Sequence, residues 1–108
     1  MKYVISSKGN DLKAQVDPRF GRAEKLIIYD ADSKKIKVID NSESKSQAHG
    51  SGINTAQTVL DEGIKVAISG DFGPKVADVL NKAGVIMHKF SNGTVEQAIN
   101  DYEKNKGL

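Results

Sequence analysis

The strongest constraint on the fold is a change of apolar period partway along the chain. Up to Asp40 the apolar residues gather in short β-type runs. From Ile53 onward they recur at helical spacing, and these stretches alternate with further short runs. The early runs are Tyr3-Val4-Ile5-Ser6, Lys25-Leu26-Ile27-Ile28-Tyr29-Asp30 and Lys35-Ile36-Lys37-Val38-Ile39-Asp40. Asp32-Ser33 between the last two predicts a tight turn, and hence a hairpin. Ile53, Ala56 and Leu60 then predict one face of a helix that Gly63 ends. Ile64 to Ser69 follows as a strand. Gly70 to Gly73 turn the chain, and Pro74 suits the first position of a second helix. Val76, Val79, Leu80 and Ala83 give that helix its stripe before Gly84. Val85 to His88 is the last strand. Thr94 with Gln97 predicts a capping box, and Val95, Ala98, Ile99 and Tyr102 face inward on the last helix.

The order is therefore βββαβαβα. A meander of three strands is antiparallel, whereas β-α-β-α-β units need right-handed crossovers and parallel strands. Both demands are met by a mixed five-stranded sheet of order 3-2-1-4-5, with strand 2 antiparallel. Helices on both faces make this a three-layer α/β/α sandwich of ribonuclease H-like topology. At 108 residues the expectation is a single domain spanning 1–108.

Composition removes several chemistries. The chain has no cysteine, so disulfides, thiolate nucleophiles and clusters or zinc held by Cys are excluded. The formal net charge of +2 is too balanced for a nucleic-acid binder. No apolar run has membrane-spanning length, and no secretory signal follows Met1, so the expectation is a cytoplasmic protein with no membrane partner. A two-metal nuclease, which this topology can host, needs a carboxylate on the first strand, and Lys2 to Ser7 has none. No Ser or Cys triad is evident, and neither histidine has a carboxylate nearby in sequence. The expectation is a protein that is not an enzyme.

Two segments, Ser7–Arg22 and Asn41–Gly52, reach the roughly 12 residues beyond which connections in compact domains are usually functional or disordered. Both meet the sheet edge where strand order reverses, the place where α/β sheets collect ligands. The first carries Arg19, Phe20, Gly21 and Arg22: two guanidiniums three residues apart can clamp an anion, with Phe20 excluding water. Equally, Phe20 can plug the core while the arginines pair with Asp17 or Glu24. The second ends in His49-Gly50-Ser51-Gly52 at a helix N-terminus, where free backbone N–H groups and the dipole favour anions. It resembles a phosphate cradle, but no Walker A lysine follows. His49 can ligate a metal as a neutral imidazole, or it and Ser51 can be a surface histidine and a simple cap. Asp71-Phe72-Gly73-Pro74 predicts a strand-to-helix turn, where Gly73 lets a ligand approach the backbone.

The ordered set Val16-Asp17-x-x-Phe20-Gly21-Arg22-Ala23, His49-Gly50-x-Gly52, Gly70-x-x-Gly73, Gly84-Val85 and Gly93-Thr94-Val95-Glu96-x-Ala98 resembles the dinitrogenase iron–molybdenum cofactor biosynthesis family. The resemblance runs from Met1 to about Tyr102. It implies the ribonuclease H-like sandwich and non-catalytic carriage of a metal–sulfur cluster, either iron–sulfur or molybdenum-containing. Such clusters are anionic and bring their own sulfides, so Arg19, Arg22, His49 and the Gly50–Gly52 turn would hold one without thiolates. A protein donor or acceptor of the cluster is then an expected partner. Two other readings remain open at this point: a metal-free adaptor that binds a protein through the same loops, and an anion- or nucleotide-binding domain.

Overall fold

The structure, a computed structural model, describes residues 1–41 and 51–105, the side chain of Ser51 excepted. Its elements follow the expected order: β1 (Lys2–Ser7), β2 (Lys25–Asp30), β3 (Ile36–Asp40), α1 (Ser51–Asp61), β4 (Val66–Ser69), α2 (Pro74–Lys82), β5 (Ile86–Lys89) and α3 (Val95–Asn105). The sheet order is β3-β2-β1-β4-β5. β1 is antiparallel to β2 and parallel to β4, so Val4 sits between Ile28 and Ala67, and Ile5 between Ile27 and Ile68. β1 and β4 are central and covered on both faces, which explains their unbroken burial. β3 lies at an edge and is mostly exposed.

Side-chain alternation divides the core in two. Val4, Leu26, Ile28 and Ala67 pack against Ala56 and Val59 of α1 and Val76 and Leu80 of α2. On the opposite face, Tyr3, Ile5, Ile27, Val66 and Ile68 pack against Val95, Ala98, Ile99 and Tyr102 of α3. The three layers follow from those two clusters. Among the described residues no helix is long and apolar enough to cross a membrane.

The last helix matches its sequence signals throughout. Thr94 N–H donates to Gln97 Oε1 at 2.9 Å, and Gln97 N–H donates to Thr94 Oγ1 at 3.1 Å, closing the capping box. Gly63 and Gly84 end their helices with positive φ, as expected. Three expectations need correction. Ile53 is 42% exposed and does not face the core; the inward positions of α1 are Thr55, Ala56 and Val59. The buried Thr55 hydroxyl donates to Asn41 Oδ1 at 3.0 Å, and this polar contact fixes the roll of the helix. Ala83 is an exposed C-cap, because α2 ends at Lys82 before a fourth stripe position is reached. His88 does have an orienting carboxylate: its Nε2 lies 2.7 Å from Asp101 Oδ2, thirteen residues on, and the ring packs edge-on against Tyr102.

Candidate functional site

The first long loop is built rather than loose. Its early half lies along the start of α3: Val95 N–H donates to Ala14 O and Glu96 N–H to Leu12 O, both at 2.9 Å, while Val16 N–H donates to Gly93 O. Its later half crosses the ends of β1 and β4. Asp17 N–H donates to Ser6 O at 2.9 Å, and Phe20 N–H donates to Asp71 O at 3.1 Å. Arg19 and Asp71 thereby form a parallel bridge between this loop and the β4–α2 turn. Asp17 is buried, and its Oδ1 accepts the Arg19 backbone N–H at 3.0 Å, a short turn that aims the next residue outward.

Gly70 makes this crossing possible. A Cβ there would lie 2.9 Å from both the Cα and the carbonyl oxygen of Pro18, closer than such atoms approach. The glycine therefore lets the loop backbone lie on the end of β4. Below the crossing, Ser6 and Ser69 are fully buried hydroxyls. Their oxygens are 2.8 Å apart, and Ser6 Oγ is 2.7 Å from Asp17 O.

Between the two segments is a cavity of about 340 Å³. One wall is Arg19, Phe20, Gly21 and Arg22; the other is the turn from Asp71 to Pro74, continued by Lys75 and Val76 of α2. Phe20 and Phe72 meet at a ring separation of 5.5 Å and form an apolar floor. Phe20 is only 1% exposed, so it serves the core and the floor together. The lining side chains include three cations, Arg19, Arg22 and Lys75, and one carboxylate, Asp71.

The start of α2 adds polarity of the same sign. Gly73, at φ 72° and ψ 154°, precedes Pro74, and no side chain caps the helix. That φ strongly favours glycine. Pro74 has no N–H, so the backbone N–H groups of Lys75 and Val76 form the open positive end. The chemistry of this donor set is charge attraction and N–H hydrogen bonding over an apolar floor. Among the described residues no three His, Cys, Asp or Glu side chains gather as metal ligands. Cationic side chains and N–H groups are the donor types that suit an anion bound as a unit.

Five expected residues, Arg19, Phe20, Gly21, Arg22 and Gly73, line one cavity. Ser51 and Gly52 open α1, and the Ser51 side chain lies outside what the structure describes. His49 and Gly50 lie outside the described residues altogether. Asn41, just before that segment, is 4% exposed and donates from Nδ2 to Ala23 O at 2.9 Å, next to Arg22. Through Thr55 it links the arginine loop to the first turns of α1. Sequence reasoning missed Phe72, Lys75, Asn41 and the Ser6–Ser69 pair. Only Lys75, directly after an N-terminal proline, carried a local signal.

Comparison with known proteins follows this geometry. Residues 1–105 match the family described as dinitrogenase iron-molybdenum cofactor. An uncharacterised protein of Methanocaldococcus jannaschii is 28% identical over 102 residues, covering 92% of this chain and 82% of its own length. The apo form of the orange protein from Desulfovibrio gigas superimposes with a TM-score of 0.93 at 33% identity, covering 97% of this chain and 88% of that one. A Thermotoga structure described as NifB-like gives a TM-score of 0.85 at 34% identity, covering 97% of this chain and 89% of that one.

Proposed function

The chain belongs to the dinitrogenase iron–molybdenum cofactor family, and from that premise we propose that it carries a preformed, anionic metal–sulfur cluster without reacting on it. The observation that supports this most is the cavity in which Arg19, Arg22, Lys75 and the uncapped end of α2 surround an apolar floor. Bridging and terminal sulfides accept N–H hydrogen bonds. The Phe20–Phe72 floor lowers the local dielectric, and charge attraction is stronger there than in water. A chain without cysteine forms no thiolate bond to the metal, so release needs no ligand exchange at a protein sulfur. That property suits transfer between a protein donor and a protein acceptor. His49 stands in this reading as an additional imidazole contact to the cluster. The relative solved in an apo form is consistent with a group that comes and goes.

Anaerobic titration with tetrathiomolybdate, and separately with a preassembled iron–sulfur cluster, tests the proposal by absorption and metal analysis. Stoichiometric binding is expected. Arg19→Ala should weaken it by about tenfold or more, because a charge-assisted hydrogen bond contributes on the order of 1.5–3 kcal/mol. His49→Ala should weaken it as well. Absence of binding, or binding that both variants leave untouched, would overturn the site. Tighter binding of a nucleotide than of either sulfide probe would replace this reading with that of a phosphate binder.

A further inference from the structure

The two walls of the cavity come from segments some fifty residues apart, and two hydroxyls underneath them are the shared foundation. Ser6 is the last residue but one of β1 and Ser69 ends β4; both are fully buried. Ser6 Oγ is 2.7 Å from Asp17 O and 2.8 Å from Ser69 Oγ. Ser69 Oγ is in turn 3.3 Å from Asp71 O and 3.4 Å from Asp17 O. Asp17 leads into the arginine wall, and Asp71 opens the opposite wall. A hydroxyl has one proton to donate, so two protons serve these contacts in turn. When Ser6 donates to Asp17 O, Ser69 can donate to Ser6. When Ser6 donates to Ser69, Ser69 donates to Asp71 O. The first arrangement ties Asp17 O to the end of β4, where the opposite wall begins, and the second ties Asp71 O to the end of β1.

We infer that Ser6 and Ser69 are positioning residues that set the spacing of the two walls, and with it the affinity for the anionic cargo. This rests on the carrier reading above. The chemistry follows from burial. A serine in a sheet interior has no access to water, so its hydrogen bonds must come from the protein. Here the bonds go to carbonyls of the loops that form the site, beneath the Arg19–Asp71 bridge and the Phe20–Phe72 contact. Phe20 N–H to Asp71 O is the backbone link, and Gly70 permits the contact without bonding to it. Removing the Ser6 hydroxyl takes away both short contacts, to Asp17 O and to Ser69; removing the Ser69 hydroxyl takes away the tie from Ser6 to β4 and the contact to Asp71 O. The fold itself is held by the two apolar clusters and is not where the loss should appear.

Two readouts on Ser6→Ala, Ser69→Ala and the double variant test this. The first needs no cargo: native-state hydrogen exchange of the Asp17 and Phe20 amides. Exchange there should accelerate about tenfold, the size expected for one buried hydrogen bond, with the α3 amides unchanged. The double variant should match the worse single variant, because both act on one link. The second is affinity for tetrathiomolybdate, which should fall about tenfold in each single variant. Ser69→Thr, which keeps the hydroxyl, should restore affinity and slow exchange. Unchanged exchange at Asp17 and Phe20, or equal acceleration across the molecule, overturns the proposal. So does faster loop exchange with full affinity, which would make the pair structural only. If the unmodified protein fails to bind the probe, the carrier reading falls, and with it the affinity half of this one; the exchange experiment still decides whether the pair spaces the walls.

Discussion

The two faces of the sheet solve the same problem differently. The α3 face is closed by one helix and a run of aromatic rings. Tyr3 meets Tyr29 at 5.9 Å and Tyr102 at 5.4 Å, and His88 packs edge-on against Tyr102 at 5.4 Å. Tyr3 Oη donates to Glu103 at 3.1 Å, so the buried ring keeps a polar outlet. The α1/α2 face uses two helices, and its upper end is completed by loops from distant parts of the chain. There Phe20 and Phe72 fill the floor and leave the cavity above it. A helix with its own cap and stripe seals a surface; loops that meet over a glycine leave room for a ligand. On the proposed reading, stability belongs chiefly to the first arrangement and binding to the second.

This contrast breaks hardest at Tyr102→Ala. Deleting a buried ring from the α3 face should cost about 3 kcal/mol or more, seen as a lower urea midpoint. Tetrathiomolybdate affinity of the protein that remains folded should be unchanged; a parallel loss of affinity would show that the faces are not separate. Gly70→Ala should do the reverse. Its methyl would meet Pro18 at 2.9 Å, so the arginine wall must lift. Overpacking of this kind costs about 1–3 kcal/mol, and cargo affinity should fall by more than the urea midpoint implies. Equal affinity in this variant would mean that the crossing does not shape the site. Thr94→Ala removes half of the capping box and should cost about 1 kcal/mol, with affinity intact.

The smallest effect lies on the hairpin, away from both helical layers. The Asp30 carboxyl is held below its ordinary value of 3.8, first by the Asp32 N–H bond and then by the Ser33 N–H, the N-terminal ammonium and Lys2; burial opposes them. A carboxyl with a depressed folded pKa stabilises above its unfolded value, and that stability is lost as pH falls through the folded value. Asp30→Asn should therefore reduce stability slightly at neutral pH and flatten the acid limb of a stability–pH curve below about 4. An acid limb identical to that of the unmodified protein would remove the hairpin from the pH response.

Legibility in the sequence varied with the range of the contact. The final helix was readable to its inward residues, because the capping box and the stripe Val95, Ala98, Ile99 and Tyr102 are all local. The strand order was readable because β-α-β handedness leaves few alternatives. α1 was legible as an element but not in its roll: the Asn41–Thr55 hydrogen bond turns Ile53 outward, and that bond spans fourteen residues. Phe20 packs in the core and also lines the cavity, two positions that local spacing cannot tell apart. Arg19, Arg22 and Gly73 were legible as loop residues with binding chemistry, but not as neighbours.

The sequence by itself determined the elements, their order, the family and the absence of thiolate chemistry, since each depends on residue type and local spacing. Only the tertiary structure decided that the arginine loop and the start of α2 face each other over Phe20 and Phe72. It also decided that Gly70 and the Ser6–Ser69 pair hold them there. These are contacts between the ends of β1 and β4, strands adjacent in space and about sixty residues apart in the chain. A pattern of 2.0 or 3.6 residues carries no information at that distance; backbone close approach and shared hydrogen bonds exist only once the sheet has formed.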